Sequence, residues 1–265
     1  MEAGWESLVR QRLRGSQPVF GCTITTSSLD VAVRAATAGF HFLWLELEHS
    51  PLSLESVRNV VLATRDLPAV PIARVPVTEG WTAKRVLDAG VHGVVFPFVS
   101  TPALAQAAAA ACRYPPAGRR GSGASLAAAS WPEADTYPDS ADRNVLVVAI
   151  IEEESALAHA DEIAATPGVD VVFAGTGDLS FSLGLRGDQR HPLVQESAAL
   201  ILAAARRHRK VAGRPAGSFE DTQRYIEQGF LFFQGPSDVA LFETGAQHFL
   251  GPHGLRPLRR QHTVD

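Results

Sequence analysis

Acidic side chains, one histidine and one arginine stand where short β-branched segments of this sequence end. Carboxylate oxygens are the ligands that Mg²⁺ and Mn²⁺ prefer, and such an ion often takes only one or two of them, with water and substrate as its other ligands. Glu152 and Asp178 follow neighbouring segments, so their oxygens can meet at one ion. The pattern predicts a polar site for a hard divalent cation among Glu46, Glu48, His49, Arg74, Glu152 and Asp178.

Several of these residues also have a purely structural interpretation. Asp178 precedes Leu-Ser-Phe, where an aspartate can cap the next helix. His49 lies between a strand end and Ser50-Pro51, beside two glutamates, so a chemical and a structural role are both open. Glu153 and Glu154 are typical acids of a first helical turn, and we assign them no chemistry.

The scarcity of lysine limits the ways in which such a site could form a carbanion on its substrate. Only Lys84 and Lys210 are present, one in a predicted helix and the other at the end of a basic run. An aldolase that works through a Schiff base needs a desolvated lysine in its site. Neither lysine follows a strand convincingly, which favours a metal ion acting as Lewis acid. We find no nucleotide-binding glycine motif.

Composition narrows the class of protein. The chain has 265 residues, with 24 basic and 28 acidic side chains and a net charge of -4, so it has no field to attract nucleic acid or an anionic membrane. Two cysteines argue against a disulfide scaffold. The first 17 residues do not resemble a signal peptide, and no apolar run reaches the roughly 18 residues of a membrane span. We expect a cytoplasmic protein.

Segments of strand and helix character alternate along the whole chain. Strands are predicted at Val19–Thr25, Phe40–Leu47, Ala69–Val75, Gly93–Pro97, Val145–Ile151, Val169–Phe173, Lys210–Gly213 and Phe230–Gln234. Helices are predicted near Asp30–Ala38, Leu54–Arg65, Trp81–Ala89, Pro102–Cys112, Ser155–Ala165, Leu193–Arg209, Asp221–Gln228 and from Val239. The order predicts an α/β fold, a single (β/α)8 TIM barrel over residues 1–265, with an open doubly wound sheet as the alternative. Catalytic groups of such barrels lie at the carboxyl ends of strands.

The segment 114–142 interrupts this alternation of strands and helices. It is rich in Pro, Gly, Ala and Ser and lies between the fourth and fifth predicted strands. Loops of this length are usually functional lids or disordered segments.

Five motifs in order make the sequence similar to a known family. They are Leu-Glu-Leu-Glu-His-Ser-Pro at 45–51, Arg74, Arg-Tyr-Pro-Pro-Ala-Gly-Arg-Arg-Gly at 113–121, Ile-Glu at 151–152, and Gly-Thr-Gly-Asp-Leu-Ser at 175–180. From about Gly21 to Leu250 the chain resembles the HpcH/HpaI family of metal-dependent pyruvate aldolases, of the 4-hydroxy-2-oxoheptanedioate aldolase type. The resemblance implies a (β/α)8 barrel, a divalent metal cofactor (Mg²⁺, Mn²⁺ or Co²⁺) and a homohexamer, a trimer of dimers that exchange their last helix.

The resemblance also implies roles for individual residues. His49 would be the general base, Arg74 would hold the 2-oxo oxygen, and Asp88 would raise the basicity of the histidine. Glu152 and Asp178 would bind the metal. The pyruvate carboxylate would be received by Gly175, Thr176, Gly177 and Asp178.

The sequence departs from the family pattern at three places. Glu46 and Leu47 stand where the family usually has Asp-Gly, and Ile150 stands where a glutamine is common. The third is Arg214, after the predicted end of the seventh strand. Its side chain is expected to point toward the barrel mouth and bind an anionic group of the acceptor, with a solvent-exposed arginine beside a turn as the alternative.

We therefore predict a divalent-metal-dependent carbon–carbon lyase, a class II pyruvate aldolase. It would cleave a 4-hydroxy-2-oxo acid to pyruvate and an aldehyde through a metal-stabilised pyruvate enolate. Its partners would be a small-molecule 2-oxo acid and an aldehyde. The alternatives are an oxaloacetate decarboxylase, a condensing enzyme of the citrate-synthase kind on the same scaffold, and a binding protein whose departures have disabled catalysis.

Overall fold

Eight parallel strands form a closed barrel in the computed structural model, which describes residues 6–255. The strands are β1 (Val19–Ile24), β2 (Phe42–Glu46), β3 (Val70–Arg74), β4 (Gly93–Phe96), β5 (Leu146–Ile151), β6 (Val171–Ala174), β7 (Val211–Pro215) and β8 (Phe232–Ser237). Each pairs with the next, and β8 pairs in parallel with β1, so the sheet is not open. The predicted TIM barrel is confirmed. The ends of the predicted domain, residues 1–5 and 256–265, lie outside the described residues.

Thirteen α-helices accompany the strands within residues 6–255. They are α1 (Leu8–Arg14), α2 (Leu29–Thr37), α3 (Leu54–Thr64), α4 (Gly80–Asp88), α5 (Pro102–Ala111), α6 (Ser125–Ala128), α7 (Tyr137–Asn144), α8 (Glu154–Leu157), α9 (Ala160–Ala165), α10 (Thr176–Ser182), α11 (Pro192–Arg207), α12 (Phe219–Gln228) and α13 (Asp238–Leu250). One predicted helix, 155–165, is two short ones, and the sequence pattern predicts none of α1, α6, α7 and α10. In the described part of the chain, no helix has the length and apolar character to cross a membrane.

Large side chains fill the interior of the barrel. The rings of Phe42 and Phe232 stack with centroids 4.6 Å apart, and Trp44 lies 5.5 Å from Phe173. Glycines make room for them: a Cβ on Gly213 would lie 2.6 Å from the Phe173 ring. Because side chains alternate along a strand, the residues two positions beyond this interior layer also point inward, at the carboxyl ends of the strands. They are Glu46, Arg74, Glu152, Gly175, Pro215 and Gln234.

The amino end of the barrel is closed by α1. Val9 and Leu13 of this helix are buried against the barrel interior. Arg10 donates to the carbonyl oxygens of Asn144 and Val145, both at 2.8 Å, which ties the helix to the start of β5. The opposite end, where the inward polar residues lie, is therefore the open end.

The segment 114–142 is folded and packs at the amino end of the barrel. Trp131 stacks on His92, with ring centroids 4.2 Å apart, and its indole donates to the Gly90 carbonyl at 3.1 Å. His92 directly precedes β4 and Gly90 lies three residues before it, and Tyr137 of the segment is buried. The expectation of a lid or a disordered segment is wrong, because α5 carries the chain away from the carboxyl ends of the strands before the segment begins.

Candidate active site

Glu46 is a buried carboxylate on which four donors converge. Its Oε2 accepts from Arg74 Nε at 2.7 Å and from the Trp44 indole at 3.0 Å. Its Oε1 accepts from the backbone amides of Glu48 at 2.8 Å and His49 at 3.0 Å. Charge-assisted hydrogen bonds of this kind are strong and directional. One side chain at the end of β2 therefore fixes both the arginine of β3 and the loop that carries the histidine.

Arg74 is held from a second side by Glu48. Its Nη1 lies 3.0 Å from Glu48 Oε2, and its guanidinium carbon lies 5.8 Å from the centre of the Trp44 ring. Burial raises the pKa of Glu48, while the charge of Arg74 opposes that shift. Arg74 also lines the cavity at the open end of the barrel. The guanidinium is thus positioned by two carboxylates and presented to that cavity.

His49 lies at the edge of the open end. Its side chain is 59% exposed, and its Nε2 lies 3.6 Å from Glu48 Oε2. The imidazole is free to meet a group that enters from solvent, while the backbone amide of the same residue is fixed by Glu46. This combination suits a base that acts on the outer part of a substrate.

Glu152 is a buried carboxylate with one oxygen engaged. Its Oε1 accepts from the Phe98 amide at 2.7 Å, and Phe98 has φ of 49°. Burial, with the charges of Asp178 and Glu48, raises the pKa of Glu152 to about 8 against the effect of that amide. A Cβ on Gly175 would lie 2.7 Å from Glu152 Oε2, so glycine is needed for the close approach of β5 and β6.

The first turn of α10 follows β6 directly. Gly175 precedes this helix and Asp178 is its third residue, so the alternative of Asp178 as N-cap is wrong. The first backbone N–H groups of a helix have no partner within the helix. Thr176 is buried and its hydroxyl donates to Gln189 Oε1 at 2.7 Å. Among residues 6–255, the Asp178 carboxylate forms no hydrogen bond or ion pair.

A cavity of about 270 Å³ lies where these groups meet. The structure brings five of the predicted site residues to it, namely Arg74, Glu152, Gly175, Gly177 and Asp178. Its remaining lining residues are Ile150, Phe173, Gln189, Pro215 and Gln234. The sequence reasoning missed both glutamines. Gln234 could have been predicted as a site residue, because it stands at the end of the eighth predicted strand, two residues after an inward phenylalanine.

Asp88 lies at the end of the barrel opposite to the cavity. It is the last residue of α4, which runs from the open end toward the amino end of the barrel, and it lies 3.6 Å from Arg120. His49 follows the carboxyl end of β2. Within one chain the two predicted partners are therefore at opposite ends of the barrel.

Arg214 does not point into the barrel mouth, and that expectation is wrong. β7 runs on to Pro215, so Arg214 lies within the strand and faces the helix layer. Its guanidinium carbon lies 3.3 Å from the centre of the Tyr225 ring, and its Nη1 lies 3.5 Å from Gln195 Oε1. The side chain is buried between α11 and α12, and burial lowers the pKa of Arg214 to about 10.

Both lysines lie away from the cavity. Lys84 is on α4 beside Gly121, and Lys210 Nζ donates to the Val169 carbonyl at 2.7 Å, at the amino end of β6. The residues that line the cavity thus offer no amine for a Schiff base.

The donor set fits a hard divalent cation. No group of three or more His, Cys, Asp or Glu side chains with metal-ligand geometry is found in residues 6–255. Two carboxylates are available, because Glu152 keeps Oε2 unbonded and Asp178 is unpaired. A buried carboxyl whose pKa is raised beside a second carboxylate is a place where a cation relieves repulsion. Mg²⁺ is often held by one or two carboxylates, with water and substrate.

Comparison with known proteins shows the family to which the chain belongs. The family model described as HpcH/HpaI aldolase/citrate lyase matches residues 20–244, so the chain belongs to this family. A 5-keto-4-deoxy-D-glucarate aldolase of Salmonella arizonae is 34% identical over 235 residues, 89% of this chain and 92% of that protein. A hydroxypyruvate/pyruvate aldolase of Roseobacter denitrificans is 34% identical over 238 residues, 89% of this chain and 93% of that protein.

A solved structure is similar over nearly the whole chain. The HpcH/HpaI aldolase/citrate lyase family protein from Burkholderia cenocepacia J2315 has a TM-score of 0.87 and 33% identity, covering 93% of this chain and 99% of that chain. The predicted resemblance is confirmed, and the protein is a lyase of the aldolase class.

Proposed function

We propose that the protein is a divalent-metal-dependent pyruvate aldolase. It cleaves a 4-hydroxy-2-oxo acid to pyruvate and an aldehyde, and it catalyses the reverse addition. The observation that carries this proposal is the position of Arg74, which two carboxylates fix at one wall of a cavity whose other wall holds Glu152 and Asp178. A fixed guanidinium and a pair of hard oxygen ligands are the groups that enolate chemistry on a 2-oxo acid requires.

Glu152 and Asp178 would hold the cation, which is Mg²⁺, Mn²⁺ or Co²⁺. When bound, it supplies a Lewis acid that polarises the 2-oxo group. The unbonded Oε2 of Glu152 and the unpaired carboxylate of Asp178 support this assignment, because a cation beside two carboxylates offsets their mutual repulsion.

The substrate is oriented by two further features. The backbone of residues 175–178, at the first turn of α10, receives the carboxylate of the 2-oxo acid. Arg74 faces the 2-oxo oxygen and stabilises the negative charge that develops there. Because Glu46 and Glu48 hold the guanidinium in place before substrate arrives, little reorganisation is needed during the reaction.

His49 acts on the acceptor end of the substrate. In cleavage its imidazole takes the proton of the C4 hydroxyl, the C3–C4 bond breaks, and the electron pair moves toward C3 and the 2-oxo oxygen. C3 then takes up a proton to complete pyruvate. The position of His49 at the exposed edge, 3.6 Å from Glu48, supports this role.

We also propose that the protein forms a homohexamer, a trimer of dimers. The last helix, α13, exposes a row of large apolar side chains, with Phe242 77% and Phe249 71% exposed. Exposed apolar patches of this kind typically form protein interfaces. The proposed effect of Asp88 on His49 also requires a second copy, because one chain places these residues at opposite ends of the barrel.

The substrates are a small 2-oxo acid and an aldehyde. Relatives at 34% identity are named for 5-keto-4-deoxy-D-glucarate and for hydroxypyruvate and pyruvate, which supports a hydroxylated 2-oxo acid. The test is to incubate the purified protein with Mg²⁺, pyruvate or hydroxypyruvate and a panel of aldehydes, and to follow products by NMR.

The predicted result is a 4-hydroxy-2-oxo acid that forms only with enzyme and metal. Consumption of oxaloacetate without an aldol product from any aldehyde would replace the proposal with a decarboxylase. Binding of pyruvate without any turnover would indicate a binding protein.

A further inference from the structure

A glutamine from the last strand forms part of the cavity wall. Gln234 lies two residues after Phe232, whose ring stacks on Phe42 inside the barrel. Because side chains alternate along a strand, Gln234 also points inward, one layer nearer the open end. Its backbone is in register with Pro215 of β7, and both residues line the cavity.

The carboxamide of Gln234 is available to a ligand. Within the described part of the chain, its Oε1 and Nε2 make no hydrogen bond. The second glutamine of the cavity differs, because Gln189 Oε1 accepts the Thr176 hydroxyl at 2.7 Å. A carboxamide that is partly desolvated and unbonded is costly unless a ligand satisfies it.

The neighbours of Gln234 cannot take over its role. Pro215, its partner in register, lines the cavity and offers no side-chain hydrogen bond, and neither do Ile150 and Phe173 on β5 and β6. The charged residues Arg74, Glu152 and Asp178 come from β3, from β5 and from the turn after β6. Of the two cavity residues on β7 and β8, Pro215 and Gln234, only Gln234 therefore offers a polar side chain.

The expected orientation of a 2-oxo acid brings C3 toward Gln234. Three groups radiate from the planar C2 atom: the carboxylate, the 2-oxo oxygen and C3. In the proposed function the carboxylate is directed to the turn after β6 and the oxygen to Arg74 on β3, and Glu152 follows β5, which lies between these strands. The third direction leads to the opposite side of the closed barrel, which β8 and β1 form.

We propose that Gln234 binds a hydroxyl group on C3 of the donor, so that the enzyme prefers a 3-hydroxy-2-oxo acid to pyruvate. This inference rests on the proposed function. A carboxamide donates and accepts hydrogen bonds, and so does a hydroxyl group, whereas the methyl group of pyruvate does neither. A site that is built to bind a hydroxyl discriminates against the analogue without it, because its polar group is then left unpaired.

The test measures exchange of the C3 protons of hydroxypyruvate and of pyruvate in D₂O with Mg²⁺, together with calorimetric dissociation constants for both. We expect the unaltered enzyme to favour hydroxypyruvate in exchange and in binding. Gln234→Leu should lower this preference about 3- to 10-fold, as expected for one neutral hydrogen bond. Gln234→Ala should do the same and serves as the second variant if the leucine variant does not fold.

Gln189→Leu is the matched control in the same cavity. It releases Thr176 at the start of α10, so it should affect both donors alike and keep their ratio. A ratio that is unchanged in both Gln234 variants would overturn the inference, as would an unaltered enzyme that treats the two donors equally while exchanging pyruvate protons. An enzyme that exchanges the protons of neither donor would overturn the proposed function as well.

Discussion

The Glu46 carboxylate lies 2.7 Å from Nε of Arg74, and both side chains are buried. The same carboxylate accepts the backbone amide of His49. The two residues proposed to act on the substrate are therefore positioned by one side chain, although they come from different strands. Glutamate at this position, with Leu47 after it, still forms a complete set of contacts, because the longer side chain also reaches the Trp44 indole.

Glu46→Gln should slow pyruvate proton exchange by about 10²-fold, because displacement of catalytic groups by about 1 Å has an effect of this size. A carboxamide directs its NH₂ group at one of the donors that now surround the carboxylate. The buried unpaired donor should lower the free energy of unfolding by about 1–3 kcal/mol. Urea unfolding and the exchange rate measure both effects. Glu55→Gln, on the exposed surface of α3, is the control and should change neither.

Arg74→Lys should reduce the exchange rate by about 10²–10³-fold although the charge is kept. An ammonium cannot bind Glu46 and Glu48 and still present a planar donor pair to the cavity. Arg58→Lys, at an arginine that binds the Ala89 carbonyl and Ser130, is the control and should retain the rate. A lysine variant at position 74 within a few fold of the unaltered enzyme would mean that Arg74 is structural.

Mg²⁺ binding should release protons below pH 8. Burial raises the pKa of Glu152 from 4.5 to about 8, so metal-free protein carries a proton there at neutral pH. The folded state then binds more protons than the unfolded state between these values, so this group makes metal-free protein less stable as pH rises through that window. Because the metal needs the ionised form, its affinity should rise about tenfold per pH unit below pH 8.

Calorimetry in buffers of different ionisation enthalpy measures the protons released. We expect nearly one proton at pH 6.5, nearly none at pH 9, and none at either pH for Glu152→Gln. Equal proton release at both pH values in the unaltered protein would exclude Glu152 as the titrating ligand.

Arg214→Ala should affect stability and leave acceptor choice unchanged. The guanidinium stacks on Tyr225 in the helix layer, and its removal leaves a cavity between α11 and α12. We expect a loss of about 1–3 kcal/mol in the free energy of unfolding. The ratio of kcat/KM for an anionic and a neutral acceptor should stay within twofold. A selective fall in kcat/KM for the anionic acceptor would show instead that Arg214 acts in the active site.

Much of the barrel could be predicted from the sequence, because most strands are short β-branched or aromatic runs that alternate with helical segments. The period of two along a strand also carries Glu152 inward above Ile150. Four short helices were missed: α1, α6, α7 and α10 have four to eight residues each, too few to show a helical period. Their positions depend on packing at the ends of the barrel.

The error at Arg214 has a physical cause. A side chain near a strand end faces the cavity or the helix layer according to the parity of its position. β7 ends at Pro215, two residues later than predicted. Arg214 therefore lies within the strand, between Gly213 and Pro215, and faces the helix layer. Asp88 could be assigned only by resemblance, because a helix that returns along the barrel carries its last residue to the far end.

Exchange of the pyruvate methyl protons in D₂O is the most direct test of metal-dependent enolisation, because it requires no acceptor. We expect rapid exchange with Mg²⁺ or Mn²⁺ and none after chelation. Asp178→Asn should lose metal affinity and exchange together, while Asp188→Asn, which lies outside the cavity lining, should retain both. Exchange that persists at full rate without metal, or unchanged Mn²⁺ affinity in Asp178→Asn, would contradict the account.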